Sequence, residues 1–137
     1  MPVVQGVTLQ FKEDLLNGVH QPGDTYKIAL YTQAAANLNK NTTAYTATGE
    51  VSGPNYVAGG VVLSGRTVSG SGDMKYLDFD DAVFASVTIT ADAAMIYNAS
   101  KSNKTLASFT FASASATAGN FTVQMPNPAS DPLIRIP

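Results

Sequence analysis

The pattern of apolar and polar positions changes period once along this chain. In Phe11-Lys12-Glu13-Asp14-Leu15-Leu16-Asn17-Gly18, apolar residues fall at i, i+4 and i+5, with acids early and a glycine at the end. That spacing predicts a helix of about two turns, closed by Gly18. Elsewhere the period is two. Tyr26, Ile28 and Leu30 alternate with Lys27, Ala29 and Tyr31, a pattern that predicts a half-buried strand over Thr25 to Thr32. The longest run sets Val87, Ile89, Ala91, Ala93, Met95 and Tyr97 on one face and Thr88, Thr90, Asp92 and Ala94 on the other. After the polar turn Asn98 to Lys104, Ala107, Phe109 and Phe111 oppose Ser108 and Thr110, so the two runs read as an antiparallel hairpin.

Shorter segments fill in the rest. Val3 to Leu9 is β-branched and broken by Gly6, which suits a strand or an arm against a neighbour. Val57 to Val68 enters a strand through Gly59-Gly60, and a bend or bulge is expected there. Ser69 to Asp73 has the composition of a hairpin turn, followed by a strand from Met74 with Leu77 and Phe79 inward. Ser113 to Asn120 reads as a small-residue turn before Phe121, Val123 and Met125. The segment 126–137, with Pro126, Pro128, Pro132 and Pro137 around Leu133-Ile134-Arg135-Ile136, reads as an edge strand or docked tail. Residues 34–54 carry few large apolar groups and form a long loop of the kind that usually has a function, with a short helical turn near Thr43 to Thr46. Together these predict one all-β domain over residues 1–137, a two-sheet antiparallel β-sandwich of jelly-roll type with one short N-terminal helix. An immunoglobulin-like sandwich is the runner-up.

Composition narrows the chemistry. The chain has 137 residues, a formal charge of −2, 13% charged residues and no Cys. Disulfides, thiolate metal sites and cysteine nucleophiles are therefore excluded. A basic stripe for nucleic acid is missing, and no apolar run is long enough to span a membrane, so neither is expected as a partner.

Candidate catalytic groups are few. A serine hydrolase needs a histidine as base, and the chain has only His20, just past the helix, where a surface or capping role is the simpler expectation. Asp73, Asp78, Asp80 and Asp81 are the one carboxylate cluster, and their spacing departs from a calcium loop, so solvated strand and turn acids are expected. With no Trp and only Glu13 and Glu50, a sugar-cleaving cleft is also disfavoured. Phosphate-binding glycine motifs are absent. No enzyme activity, metal or cofactor is expected. Tyr45 and Tyr56, in the long polar loop, are the tyrosines best placed for an interface.

Several phrases in order carry a resemblance: F-K-E-D-L-L-N-G-V-H at 11–20, D-T-Y-K-I-A-L-Y-T at 24–32, T-T-A-Y-T-A-T-G-E-V-S-G at 42–53, N-Y-V-A-G-G-V-V-L at 55–63 and A-M-I-Y-N at 94–98. As an ordered set they resemble small virion proteins of tailed phages, and within these the capsid cement, or decoration, proteins of short-tailed phages of the Bordetella type. The resemblance implies a jelly roll on the exterior of an icosahedral capsid, binding the major capsid protein and holding capsomers against the pressure of packaged DNA. At Asp80-Asp81-Ala82-Val83-Phe84 the chain departs from the expected Asp-Pro-Val-Trp. A cement protein repeats modest contacts many times, so avidity substitutes for individual affinity. The extended apolar termini suit such contacts, with Val3, Val4, Val7 and Leu9 at one end, Leu133, Ile134 and Ile136 at the other, and Tyr45 and Tyr56 next. Against this stands the simpler reading that both termini complete the domain's own sheets. Self-association is expected as a two-fold dimer, with a trimer as the alternative. The competing functional reading is a tail or neck component, or an adhesin domain for host glycan.

Overall fold

The computed structural model describes residues 6–32, 38–39, 41–71, 74–125 and 134–136. Strand β1 (Gly6–Val7) leads into helix α1 (Leu9–Asn17), followed by β2 (Tyr26–Tyr31), β3 (Val61–Val62), β4 (Thr67–Ser71), β5 (Met74–Asp78), β6 (Ala82–Asn98), β7 (Lys104–Val123) and β8 (Ile134–Ile136). They form two antiparallel sheets, a five-stranded one in the order β1-β7-β6-β2-β3 and a three-stranded one in the order β4-β5-β8. The all-β, two-sheet class with one short helix is as the sequence predicts. A jelly roll is a finer description than these pairings make.

Helix α1 starts where Thr8 caps it. Thr8 Oγ1 accepts the Phe11 N–H at 3.1 Å, and Gly18 ends the helix in the left-handed region. Its orientation differs from the expected one. Phe11 and Asp14 are buried, whereas Leu15 is 43% and Leu16 91% exposed. The tie to the sheet is made before the first turn, by the Thr8 N–H donating to Leu106 O and Thr105 Oγ1 donating to Thr8 Oγ1.

Strand β2 is buried on both faces, which is why its sequence has apolar or aromatic residues at nearly every position. Tyr26, Ile28 and Leu30 point into the main core with Phe11, Leu63, Phe79, Phe84, Ile96, Leu106 and Phe121. Ala29 and Tyr31 point the other way, into a second cluster with Leu38, Ala93, Met95, Tyr97 and, at its rim, Tyr45. The long loop is thus a cover for the second face of the sheet. No helical turn forms at Thr43 to Thr46; Ala44 bridges to Lys104 instead.

Strands β6 and β7 make one long hairpin whose pairing slips at several points. Ala82 and Phe84 face the core, and Ser86 then adopts φ +54°. The inward phase passes to Val87, Ile89 and Ala91, and after a further slip between Ala91 and Ala93 it passes to Ala94 and Ile96. So the expected single face from Val87 to Tyr97 holds only as far as Ala91; Ala93, Met95 and Tyr97 lie on the opposite face. Each bulge inserts residues on one strand, and the period-two reading loses step there. The segment from Ser113 to Asn120, expected as a turn, is the middle of β7, with Ala118 at φ +48° as its irregular point. Phe84 is 2% exposed, so its role is in the core.

Candidate functional site

Two polar clusters flank the central strands. The first sits under α1. His20, its side chain 4% exposed, stacks on Phe11 with ring centroids 5.6 Å apart. Its Nε2 lies 3.2 Å from Asp14 Oδ2 and its Nδ1 2.9 Å from Asn98 Nδ2. Asn98 Oδ1 accepts the Ser100 N–H, so the amide must present its NH2 to His20 and to Asp24. Nδ1 is therefore an acceptor and Nε2 carries the proton toward Asp14. Asp24 also receives Lys101 Nζ at 2.9 Å and the Gln21 N–H at 3.0 Å.

Charge in this cluster follows from its burial. Burial pulls the His20 pKa below 6.5, outweighing the attraction of Asp14 and Asp24. A second proton on Nδ1 would also face the Asn98 NH2, donor against donor. Asp24 goes the other way: burial alone would raise its pKa, but the hydrogen bonds from Asn98, Gln21 and Lys101 hold it at about 2. An acid–base pair is present, with Nδ1 taken up by Asn98 and Nε2 buried 3.2 Å from Asp14 Oδ2 without the alignment of a hydrogen bond. The expectation of a surface or capping histidine is replaced by a buried one that joins α1 to the β6–β7 turn.

This arrangement gives a pH prediction with a definite sign. The unfolded chain takes up a proton on His20 near pH 6.5, which the folded chain resists. The stability contribution is full above that value and is lost as the pH falls toward the folded pKa, by up to about 1.4 kcal/mol per pH unit. Urea midpoints measured between pH 8 and pH 5 are expected to fall in the wild type; the slope is expected to flatten in His20→Gln, whose amide can still donate to Asp14.

The second cluster surrounds Glu50. Tyr45 Oη donates to Oε1 and Tyr56 Oη to Oε2, each at 2.5 Å, and the Gly59 N–H donates to Oε2 at 2.9 Å. Tyr56 Oη also accepts the Leu30 N–H, Tyr97 Oη donates to Gly59 O at 2.6 Å, and Tyr31 Oη donates to Thr46 O at 2.7 Å. Burial, with the nearby Glu50 charge, raises the pKa of all four phenols, Tyr97 to about 12. Tyr45 stacks on Tyr97 and Tyr56 on Phe84. Tyr45 and Tyr56 are thus half-buried posts that hold the loop to the sheet, and their hydroxyls are already used.

The other candidate residues divide by place. Val7 packs against the main core, and Leu9 is 47% exposed at the start of α1. Ile134 and Ile136 lie in β8, whose backbone pairs with β5, as that of β1 pairs with β7. Val3, Val4, Leu133 and Asp73 lie outside the described residues. Asp81 Oδ1 accepts the Met125 N–H, and burial raises the Asp78 pKa. Among the described residues no group of His, Asp and Glu is arranged to hold a metal ion. The apolar side chains that the structure leaves in solvent on α1 are Leu9, Leu15 and Leu16. Sequence periodicity missed the last two because it turned them inward. No protein-family model matches the chain, and neither a curated protein nor a solved structure matches it.

Proposed function

We propose that this chain is a virion cement protein that docks on the outside of a tailed-phage capsid through a surface centred on α1. The observation that carries the reading is the exposure of Leu9, Leu15 and Leu16 on one short helix. Leu16 is 91% exposed, the most of the large apolar side chains among the described residues, and Leu9 and Leu15 on the same helix are 47% and 43% exposed. A second protein covering them would recover about 1.5–3 kcal/mol for each fully buried side chain. The ordered likeness to tailed-phage virion proteins supplies the class of partner, the major capsid protein. The polar clusters support a structural role, since their hydrogen bonds are spent inside the domain.

Cryo-electron microscopy of the particle that carries this chain tests the proposal. Copies bridging neighbouring capsomers, with α1 at the contact, are expected; density confined to the tail vertex would overturn it in favour of a neck, tail or adhesin role. In a binding assay on shells lacking the protein, Leu16→Asp is expected to weaken occupancy about tenfold or more with the melting temperature unchanged, because Leu16 makes little contact inside the fold.

A further inference from the structure

Strand β1 meets the outer edge of β7 in a single register. Gly6 lies opposite Ser108 and Val7 opposite Ala107, and the Thr8 N–H donates to Leu106 O at 3.0 Å. In an antiparallel ladder alternate residues turn both N–H and C=O toward the neighbour, so Thr8 and Gly6 do so here and Val7 does not. From Thr105 to Val123 the sequence of β7 carries neither charge nor proline. Natural sheets cover an edge of that composition, because it is a template for foreign strands. On its other side β7 pairs regularly with β6 from Ala107 to Thr110; then, between the pairs Ala93–Thr110 and Ala91–Ala114, two steps on β6 answer four on β7. A bulge of this kind bends the strand, so the straight part of the edge ends near Thr110.

We infer that the segment Pro2 to Gln5, which lies outside the described residues, continues β1 as a strap along this edge, with Gln5 opposite Phe109 and Val4 opposite Thr110. The residues suit that place. In the series 8, 6, 4, Val4 is the next to exchange hydrogen bonds with β7, at the last straight position. Pro2 follows in the series and has no N–H to give, so the ladder closes where the bulge begins. Val3 falls on the face of Val7, which packs against the main core, and reaches Phe111, a half-buried ring beside Phe109 and Phe121. The strap thus sets a β-branched residue on the rim of the core and a proline at its end, a device that keeps other chains off an edge. It draws Val3 and Val4 into the free domain itself, independently of any capsid contact.

Amide hydrogen exchange of the wild-type protein, followed by NMR, tests the pairing. The Val4 N–H is expected to exchange at least about tenfold more slowly than those of Val3 and Gln5, which point away from β7. Exchange at Val4 as fast as at its neighbours would overturn the proposal. Because the chain has no cysteine, a pair of introduced thiols reports both the register and the copy. The Cα atoms of a hydrogen-bonded pair lie about 5.5 Å apart, within reach of a disulfide, so Val4→Cys with Thr110→Cys is expected to oxidise within one chain. Gln5→Cys with Thr110→Cys puts the thiols on opposite faces and is expected to oxidise about tenfold more slowly or less readily still. Equal rates for the two pairs would overturn the register. A disulfide-linked dimer from the first pair would overturn the strap, since the segment would then lie on another copy.

Discussion

Glu50→Ala is expected to lower stability by about 3–5 kcal/mol, among the largest single-residue effects in the molecule. The carboxylate is the shared acceptor of two phenols and one backbone N–H that reach it from residues 45, 56 and 59. Alanine leaves all three donors without their partner in a half-buried site, and charge-assisted bonds of this kind contribute more than neutral ones. Glu50 also sits in the backbone bridge to Tyr31, and the following Val51 N–H donates to Leu30 O, so the loosened segment lies directly on β2. Glu50→Gln is expected to cost less than Glu50→Ala, since its carbonyl still accepts one bond while its NH2 opposes a phenol hydrogen. Urea unfolding at pH 7 checks the order. Four of the six tyrosines meet here and the chain has no tryptophan, so near-UV circular dichroism reports the cluster directly.

What the sequence made legible follows from how local each feature is. The strand over Tyr26–Tyr31 and its alternation were readable because β2 has no bulge, though its second buried face was not. The helix end at Gly18 was readable from one residue's conformational freedom. Its buried face was not, because Leu15 and Leu16 score as apolar wherever they point, while Asp14 is held inside by Gln10 one turn earlier, by His20 beyond the helix and by Lys104 from β7. The same holds for the hairpin. The Ser86 bulge is fixed by Asn55 Nδ2 on its carbonyl and by Asn120 Oδ1 on its N–H, and the Ala118 irregularity by Thr88 Oγ1. Partners about thirty residues away decide those positions, so a reading that moves along the chain keeps the wrong phase beyond them. Tyr45 and Tyr56 stood out in the loop as interface candidates, whereas the structure ties both hydroxyls to Glu50, which gave no signal of its own, because nothing in the spacing of 45, 50, 56 and 97 marks them as neighbours.

The second large effect is steric and falls on Gly60. Gly60→Ala is expected to destabilise the fold by about 4 kcal/mol or more, or to prevent accumulation of soluble protein. The residue has φ +81°, and a Cβ built there would lie 1.7 Å from Ile28 O and 2.9 Å from Ala29 Cα. Those are backbone atoms of a strand paired on both sides, so neither can yield. The strand that Gly60 introduces, β3, pairs Val61 with Ile28 and closes the outer edge of β2. Pushing it away would also shift Gly59, whose N–H serves Glu50 and whose carbonyl receives Tyr97. The cost is therefore shared between the sheet and the tyrosine cluster, and the two are expected to melt together. Gly18→Ala is the matched control: its φ is +66°, but nothing lies within 4 Å of the added carbon. That variant carries the conformational penalty alone, about 1 kcal/mol, and is expected to leave near-UV circular dichroism intact. A loss in Gly60→Ala no larger than in Gly18→Ala would mean that β3 can leave the edge of β2 without disturbing the cluster behind it.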